Sequence, residues 1–147
     1  MRKVTGRILA IDVGARRVGL AISDVSGTLA RPLDTLAVTS AANAVNCVAS
    51  RIDGLLREDD GLAGIVVGLP GRLDGTPSPA TARVQAFIDA LRARTAVAIV
   101  TGDERLTSRE AESRLALRER DWRKRKATLD AAAAAIVLQD YLDRPQD

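Results

Sequence analysis

Three acidic residues stand where apolar segments of the chain end or begin, and their side chains could meet and do chemistry there. Asp12 follows the strand-like run 8–11, Glu104 follows the run that ends at Val100, and Asp130 stands at the head of an alanine-rich segment. Strand ends on one side of a sheet can meet an adjacent helix start, and carboxylates that meet without a cation repel one another. A divalent cation removes that repulsion, so the pattern predicts a metal site. Taken singly, each acid also has a plain structural explanation as a turn cap, a helix-dipole partner or an ion-pair partner.

The absence of histidine limits what such a site could be. The chain has 147 residues, no His and one Cys, Cys47. It therefore cannot build a Ser-His-Asp or Cys-His nucleophilic site, a zinc site containing His, or a thiolate cage. The candidate ligands are all oxygens, which favour Mg²⁺ or Mn²⁺. Two such ions about 3.5–4 Å apart activate water for phosphodiester displacement, so we predict a nuclease whose catalytic and metal-binding residues are Asp12, Glu104 and Asp130.

Basic residues form the second set with a chemical role. Lys and Arg number 22 against 19 acidic residues, the pI is about 9.6, and the charge is densest over residues 117–126. A local basic face suits a phosphate backbone, although a solvated charged surface is an equally plain explanation. Thr107 and Ser108 can donate to a phosphate at a helix start or simply cap that helix. The predicted nucleic-acid contacts are Arg16, Arg17, Arg72, Arg105, Thr107, Ser108, Arg123, Lys124, Arg125 and Lys126.

The elements that must position these residues begin with three strands and a helix. The first two strands flank a turn at Gly14, and a third over residues 28–36 contains Pro32, which is tolerated at the edge of a sheet. We expect these three strands to be antiparallel neighbours. Ser40 is expected to cap a helix whose apolar residues recur at helical spacing until residues 59–61 end it.

The rest of the chain alternates strands with helices. The predicted elements begin with a continuous apolar strand at 62–70, a Gly- and Pro-rich turn at 71–79, a helix whose start is marked by Ser78 and Pro79, and a buried strand at 96–100. They continue with a helix capped by Thr107 or Ser108, a mobile loop at 117–126, and a buried helix capped by Thr128 with Asp130 in its first turn. This order predicts one α/β domain over residues 1–147, with a mixed sheet and helices on both faces.

Four motifs in this order resemble those of the YqgF/RuvX family. They are Ile11-Asp12-Val13-Gly14 with Arg17-Val18-Gly19-Leu20-Ala21, Val66-Val67-Gly68-Leu69-Pro70 with Asp74-Gly75-Thr76, Asp103-Glu104-Arg105-Leu106-Thr107-Ser108, and Leu129-Asp130-Ala131-Ala132. The resemblance implies a ribonuclease H-like three-layer fold with a mixed five-stranded sheet, related to the RuvC resolvases. It also implies that Asp12, Glu104 and Asp130 bind metal, and that the substrate is the 5′ end of pre-16S ribosomal RNA or a four-way DNA junction.

The chain departs from the family pattern at two positions. Gly102 stands where many members have His, and Ala132 stands where Ser is common. Neither change removes a carboxylate, so the family resemblance still implies an active site. Fewer hydrogen bonds around the ligands could make it slower.

Two other classes of function stay open at this point. A phosphate-binding domain of the actin and sugar-kinase type also begins with strand, Asp, Gly, turn and strand, but it needs a second domain to close over the nucleotide. A non-catalytic nucleic-acid-binding module would use the acids only as caps. No apolar stretch is long enough for a secretory signal or membrane span, which predicts a cytoplasmic protein, and a junction resolvase would need a two-fold homodimer.

Overall fold

The computed structural model describes residues 6–69, 79–103 and 122–144, including their side chains except at 103 and 122–129. Five strands form one mixed sheet in the order β3-β2-β1-β4-β5. The strands are β1 (Ile8–Val13), β2 (Arg17–Ser23), β3 (Ala30–Ala37), β4 (Gly64–Leu69) and β5 (Ile99–Asp103). The helices of the described ranges are α1 (Ala41–Arg57), α2 (Pro79–Arg92) and α3 (Trp122–Asp143). No helix in these ranges is both long and apolar enough to cross a bilayer.

The first three strands form an antiparallel meander, and the last two strands join it in parallel. β1 pairs antiparallel with β2 and parallel with β4, and β4 pairs parallel with β5. β3 pairs antiparallel with β2 and occupies one edge of the sheet. The expected antiparallel neighbours and the edge position of the strand containing Pro32 are therefore confirmed.

Helices cover both faces of the sheet, as the order of the elements predicts. Leu9 and Ile11 of β1 are buried against α1 and α2 in the larger core. Ile8 and Ala10, which alternate with them along the strand, pack in a smaller core against α3. The α3 side of this smaller core is formed by Ala134, Val137 and Leu138. Small side chains bring the axis of α3 close to the sheet.

The ends of α1 follow from its local sequence. The Ser40 hydroxyl accepts a hydrogen bond from the Asn43 backbone N–H at 3.0 Å, which caps the first turn as predicted. The helix ends at Arg57, and Glu58 separates it from the segment 59–61 that was expected to stop it. Gly61 then adopts a left-handed φ of 60°, which glycine tolerates without steric cost.

The last helix begins earlier than the sequence pattern predicts. α3 starts at Trp122, so residues 122–126 belong to a helix, and the prediction of a mobile loop is wrong for them. Arg and Lys are good helix formers, and packing further along the helix compensates for the missing apolar periodicity. Thr128 is consequently inside the helix and is not its cap. Asp130 lies more than two turns from the start, so the expected first-turn position is also wrong.

The fifth strand is shifted along the chain relative to its prediction. It begins at Ile99 and continues through Asp103, whereas the apolar run predicts residues 96–100. β5 lies at the edge opposite β3, and Val100 is 42% exposed, so the strand is only half buried. An apolar run reports hydrophobicity but not the hydrogen-bonding register with β4, which decides where the strand starts. Residues 71–78 of the predicted turn at 71–79 and the predicted helix near residue 107 lie outside the described residues, and α2 begins at Pro79.

Candidate active site

Asp12 lies on the sheet face that α3 covers. It is two residues beyond Ala10 and therefore shares that face, and it is partly exposed. Its partner in the ladder is Gly19, one pair away from the turn that joins β1 to β2. That turn is closed by a hydrogen bond from the Gly14 N–H to the Arg17 carbonyl at 2.9 Å. The acid thus lies at the mouth of a hairpin, as predicted.

Gly19 joins this position to the last helix. A Cβ built on Gly19 would overlap the backbone carbonyl of Asp130 and would lie 2.9 Å from the Ala131 nitrogen. The α3 backbone therefore lies against β2 at the residue paired with Asp12. Two predicted ligands that are far apart in the chain thus come to the same end of the same sheet face. Gly19 is not among the predicted site residues, although a glycine inside an apolar strand often marks a close backbone approach.

Asp130 forms an ion pair across the same interface. The Arg17 Nε donates to the Asp130 Oδ2 at 2.7 Å, and the two side chains are 32% and 26% exposed. Arg17 is the first residue of β2 and shares the α3-facing side with Gly19. The sequence predicts Arg17 as a phosphate contact, whereas the structure pairs it with a predicted metal ligand. The sequence pattern contains no signal for a contact between residues so far apart.

The other predicted site residues divide into three groups. Arg16 is exposed in the β1–β2 turn, and its carbonyl accepts a hydrogen bond from the Val38 N–H at 2.9 Å. Residues 123–126 lie in the first turns of α3. At 1.5 Å per helical residue they are roughly 6–10 Å from Asp130 along the helix axis. The predicted site residues outside the described ranges are Arg72, Glu104, Arg105, Thr107 and Ser108.

The donor set brought together here is compatible with a hard cation. Asp12 and Asp130 supply carboxylate oxygens, the ligands that Mg²⁺ and Mn²⁺ prefer, and both residues are partly exposed rather than sealed in the core. Within residues 6–69, 79–103 and 122–144, no three Asp, Glu, His or Cys side chains are grouped so that they could hold a metal. Two carboxylates can be sufficient protein ligands for Mg²⁺, because this ion usually keeps several water ligands.

Two curated proteins are similar in sequence to this chain over nearly its whole length. A protein of Roseiflexus sp. (strain RS-1), named "Putative pre-16S rRNA nuclease", is 39% identical over 143 residues, which cover 97% of this chain and 98% of the relative. A protein of the same name from Desulforudis audaxviator (strain MP104C) is 36% identical over 137 residues, covering 93% and 94%.

Solved structures with low sequence identity share the fold. Thermus thermophilus RuvC in complex with a Holliday junction substrate matches with a TM-score of 0.55 at 17% identity, covering 93% of each chain. The human cytomegalovirus terminase nuclease domain, soaked with Mn, matches with a TM-score of 0.52 at 14% identity, covering 96% of this chain and 85% of the other.

The fold is accordingly that of the RuvC-like, ribonuclease H-like α/β proteins, as the family resemblance implies. A family model described as "RuvX: Holliday junction resolvase" matches residues 6–144. The chain belongs to the RuvX family.

Proposed function

We propose that the protein is a divalent-metal-dependent nuclease that processes the 5′ end of pre-16S ribosomal RNA in the cytoplasm. The observation that carries the proposal is the close packing of α3 on Gly19, which brings Asp130 to the strand pair that holds Asp12. The names of the curated relatives support ribosomal RNA as the substrate.

Asp12 and Asp130 would hold Mg²⁺ or Mn²⁺, and a pair of ions there would complete a two-metal site. When bound, such ions supply an activated water and stabilise charge on the attacking and leaving oxygens of the phosphate. The carboxylates of Asp12 and Asp130 would hold the ions at this end of the sheet face. The basic first turns of α3 hold the phosphate backbone beside them. With no histidine in the chain, no imidazole handles the proton of the attacking water.

Glu104 is the proposed third ligand. It follows Asp103, the last residue of β5, and comes two residues after Gly102. Gly102 faces α3, because a Cβ built on it would lie 3.0 Å from Val137 Cγ1. The sequence position of Glu104, two residues after a glycine that faces α3, supports the assignment. The same packing explains the glycine at 102, since a larger side chain would have to displace Val137.

The test is cleavage by an Asp12→Asn variant with Mg²⁺ and with Mn²⁺, on a pre-16S RNA fragment and on a four-way DNA junction. Cleavage is expected to fall by at least about a hundredfold. Binding of the nucleic acid to the variant should persist or strengthen, because the substitution removes one negative charge near the substrate phosphate. Asp53→Asn, at an exposed position on α1, is the matched control. If RNA cleavage by Asp12→Asn continues at the original rate, the catalytic assignment of Asp12 fails.

A second candidate is resolution of four-way DNA junctions. The description of the matching family model favours it. Concerted cutting of two strands needs a two-fold dimer, whereas trimming an RNA end does not. Preferential cleavage of the junction, by a protein that sedimentation shows to be dimeric, would replace the RNA assignment.

A further inference from the structure

The ion pair between Arg17 and Asp130 affects how a metal ion would bind at the candidate site. It joins the first residue of β2 to the interior of α3, and both side chains are about two-thirds or more buried. The contact to Asp130 uses Nε, while the two terminal nitrogens carry the other donors of the guanidinium. The Arg17 guanidinium is thus bound to the carboxylate that would ligate the metal ion in the proposed function.

A guanidinium and a divalent ion compete for such a carboxylate. Mg²⁺ lies about 2.0–2.1 Å from a ligating oxygen, and the Arg17 Nε is 2.7 Å from the Asp130 Oδ2. Two cations at these distances repel each other, and partial burial reduces the screening by water. Each cation therefore weakens the binding of the other at Asp130.

A substrate phosphate offers Arg17 another partner. Guanidinium groups bind phosphate oxygens with strong, often paired hydrogen bonds. Arg17 stands beside the exposed β1–β2 turn, at the end of the sheet where Asp12 lies. A phosphodiester bound over these acids would be within the region that the long Arg side chain can reach.

We propose that Arg17 is an exchangeable counter-ion, which neutralises Asp130 in the free protein and moves to the phosphate when nucleic acid binds. Metal binding and nucleic-acid binding are then coupled through one positioning residue. The inference rests on the proposed function, because it requires Asp130 to ligate the metal. Linkage makes the effect reciprocal, so that nucleic acid strengthens metal binding by the factor by which metal strengthens nucleic-acid binding.

The first test is calorimetric titration with Mn²⁺ in the absence of nucleic acid. Arg17→Gln should bind Mn²⁺ more tightly than the wild type, on the order of threefold to tenfold, because a competing partly buried cation is removed. Arg51→Gln is the matched control, since it breaks another Arg–Asp pair, with Asp34, whose side chains are 34% and 43% exposed. Its Mn²⁺ affinity should equal that of the wild type. If Arg17→Gln does not fold, Arg17→Met keeps the apolar stem and should show the same increase.

The second test repeats the titration with protein saturated by a cleavage-resistant phosphorothioate RNA. The Mn²⁺ affinity of the wild type should rise, and that of Arg17→Gln should rise by a smaller factor. An equal rise in both proteins would overturn the exchange of partners.

Two other results separate the possible failures. If the wild type binds Mn²⁺ and Asp130→Asn abolishes that binding, but Arg17→Gln has unchanged or weaker affinity, the counter-ion role is wrong and the proposed function stands. If Asp130→Asn leaves Mn²⁺ binding unchanged, Asp130 is not a ligand. The metal assignment of the proposed function then fails together with the inference.

Discussion

Replacement of Gly19 by alanine tests the contact on which the site depends. The added methyl group would overlap the backbone carbonyl of Asp130. A backbone atom cannot rotate out of the way as the end of a side chain can, so α3 must move away from β2. The substitution adds one carbon at the residue paired with Asp12 and changes no charge.

The expected loss of stability follows from two opposing terms. Overpacking by a methyl group costs about 1–3 kcal/mol, and a clash with backbone belongs at the upper end of that range. Replacement of glycine within a strand recovers about 0.5–1 kcal/mol of chain entropy. The net destabilisation of Gly19→Ala is therefore about 2 kcal/mol. Displacement of α3 by about 1 Å should also lower cleavage by on the order of a hundredfold.

Urea unfolding and cleavage of the RNA fragment measure the two effects. Gly54→Ala is the control, because it lies in α1 and a Cβ built on it meets nothing within 4 Å. It should raise stability by about 0.5–1 kcal/mol and leave cleavage unchanged.

One result would refute this reasoning. A Gly19→Ala protein with the unfolding midpoint, Mn²⁺ affinity and cleavage rate of the wild type would mean that α3 does not lie against β2 at this residue. Lost stability with unchanged cleavage would mean that the contact supports the fold and does not set the position of Asp130.

Two further predictions concern stability. Arg7 is 9% exposed and donates hydrogen bonds to the Gly61 carbonyl and to Glu58 Oε1, each at 3.0 Å, just beyond the end of α1. Arg7→Met removes these bonds and should lower the free energy of unfolding by about 2–3 kcal/mol, measured by urea titration. An unchanged unfolding midpoint would contradict this prediction. Hydrogen bonds from the Ser26 hydroxyl, and then from two backbone N–H groups, lower the pKa of Asp24 from 3.8 to about 2. The stabilisation of the folded protein by ionised Asp24 is complete above pH 3.8 and is lost as the pH falls toward 2. Asp24→Asn should therefore show a smaller decrease of Tm than the wild type over that pH range. An identical pH profile for the two proteins would contradict the prediction.

Local patterns were sufficient to predict much of this fold. Continuous apolar runs on either side of a glycine turn identified β1 and β2, Pro32 identified the edge strand, and Ser40 identified the start of α1. These features depend on residues close together in the chain, whose side-chain period and capping are set by the backbone geometry itself. The position of Asp12 at the mouth of the first hairpin was predictable for the same reason, because an acid between a buried strand and a glycine turn is a local signal.

The sequence by itself determined the residue types available for chemistry: three acids, many arginines and no histidine, which together favour a hard divalent metal. Only the tertiary structure decided that Asp130 lies inside α3, that its backbone packs on Gly19, and that Arg17 pairs with its carboxylate. Such contacts depend on how closely a helix approaches a sheet, and that distance is set by packing between segments more than a hundred residues apart.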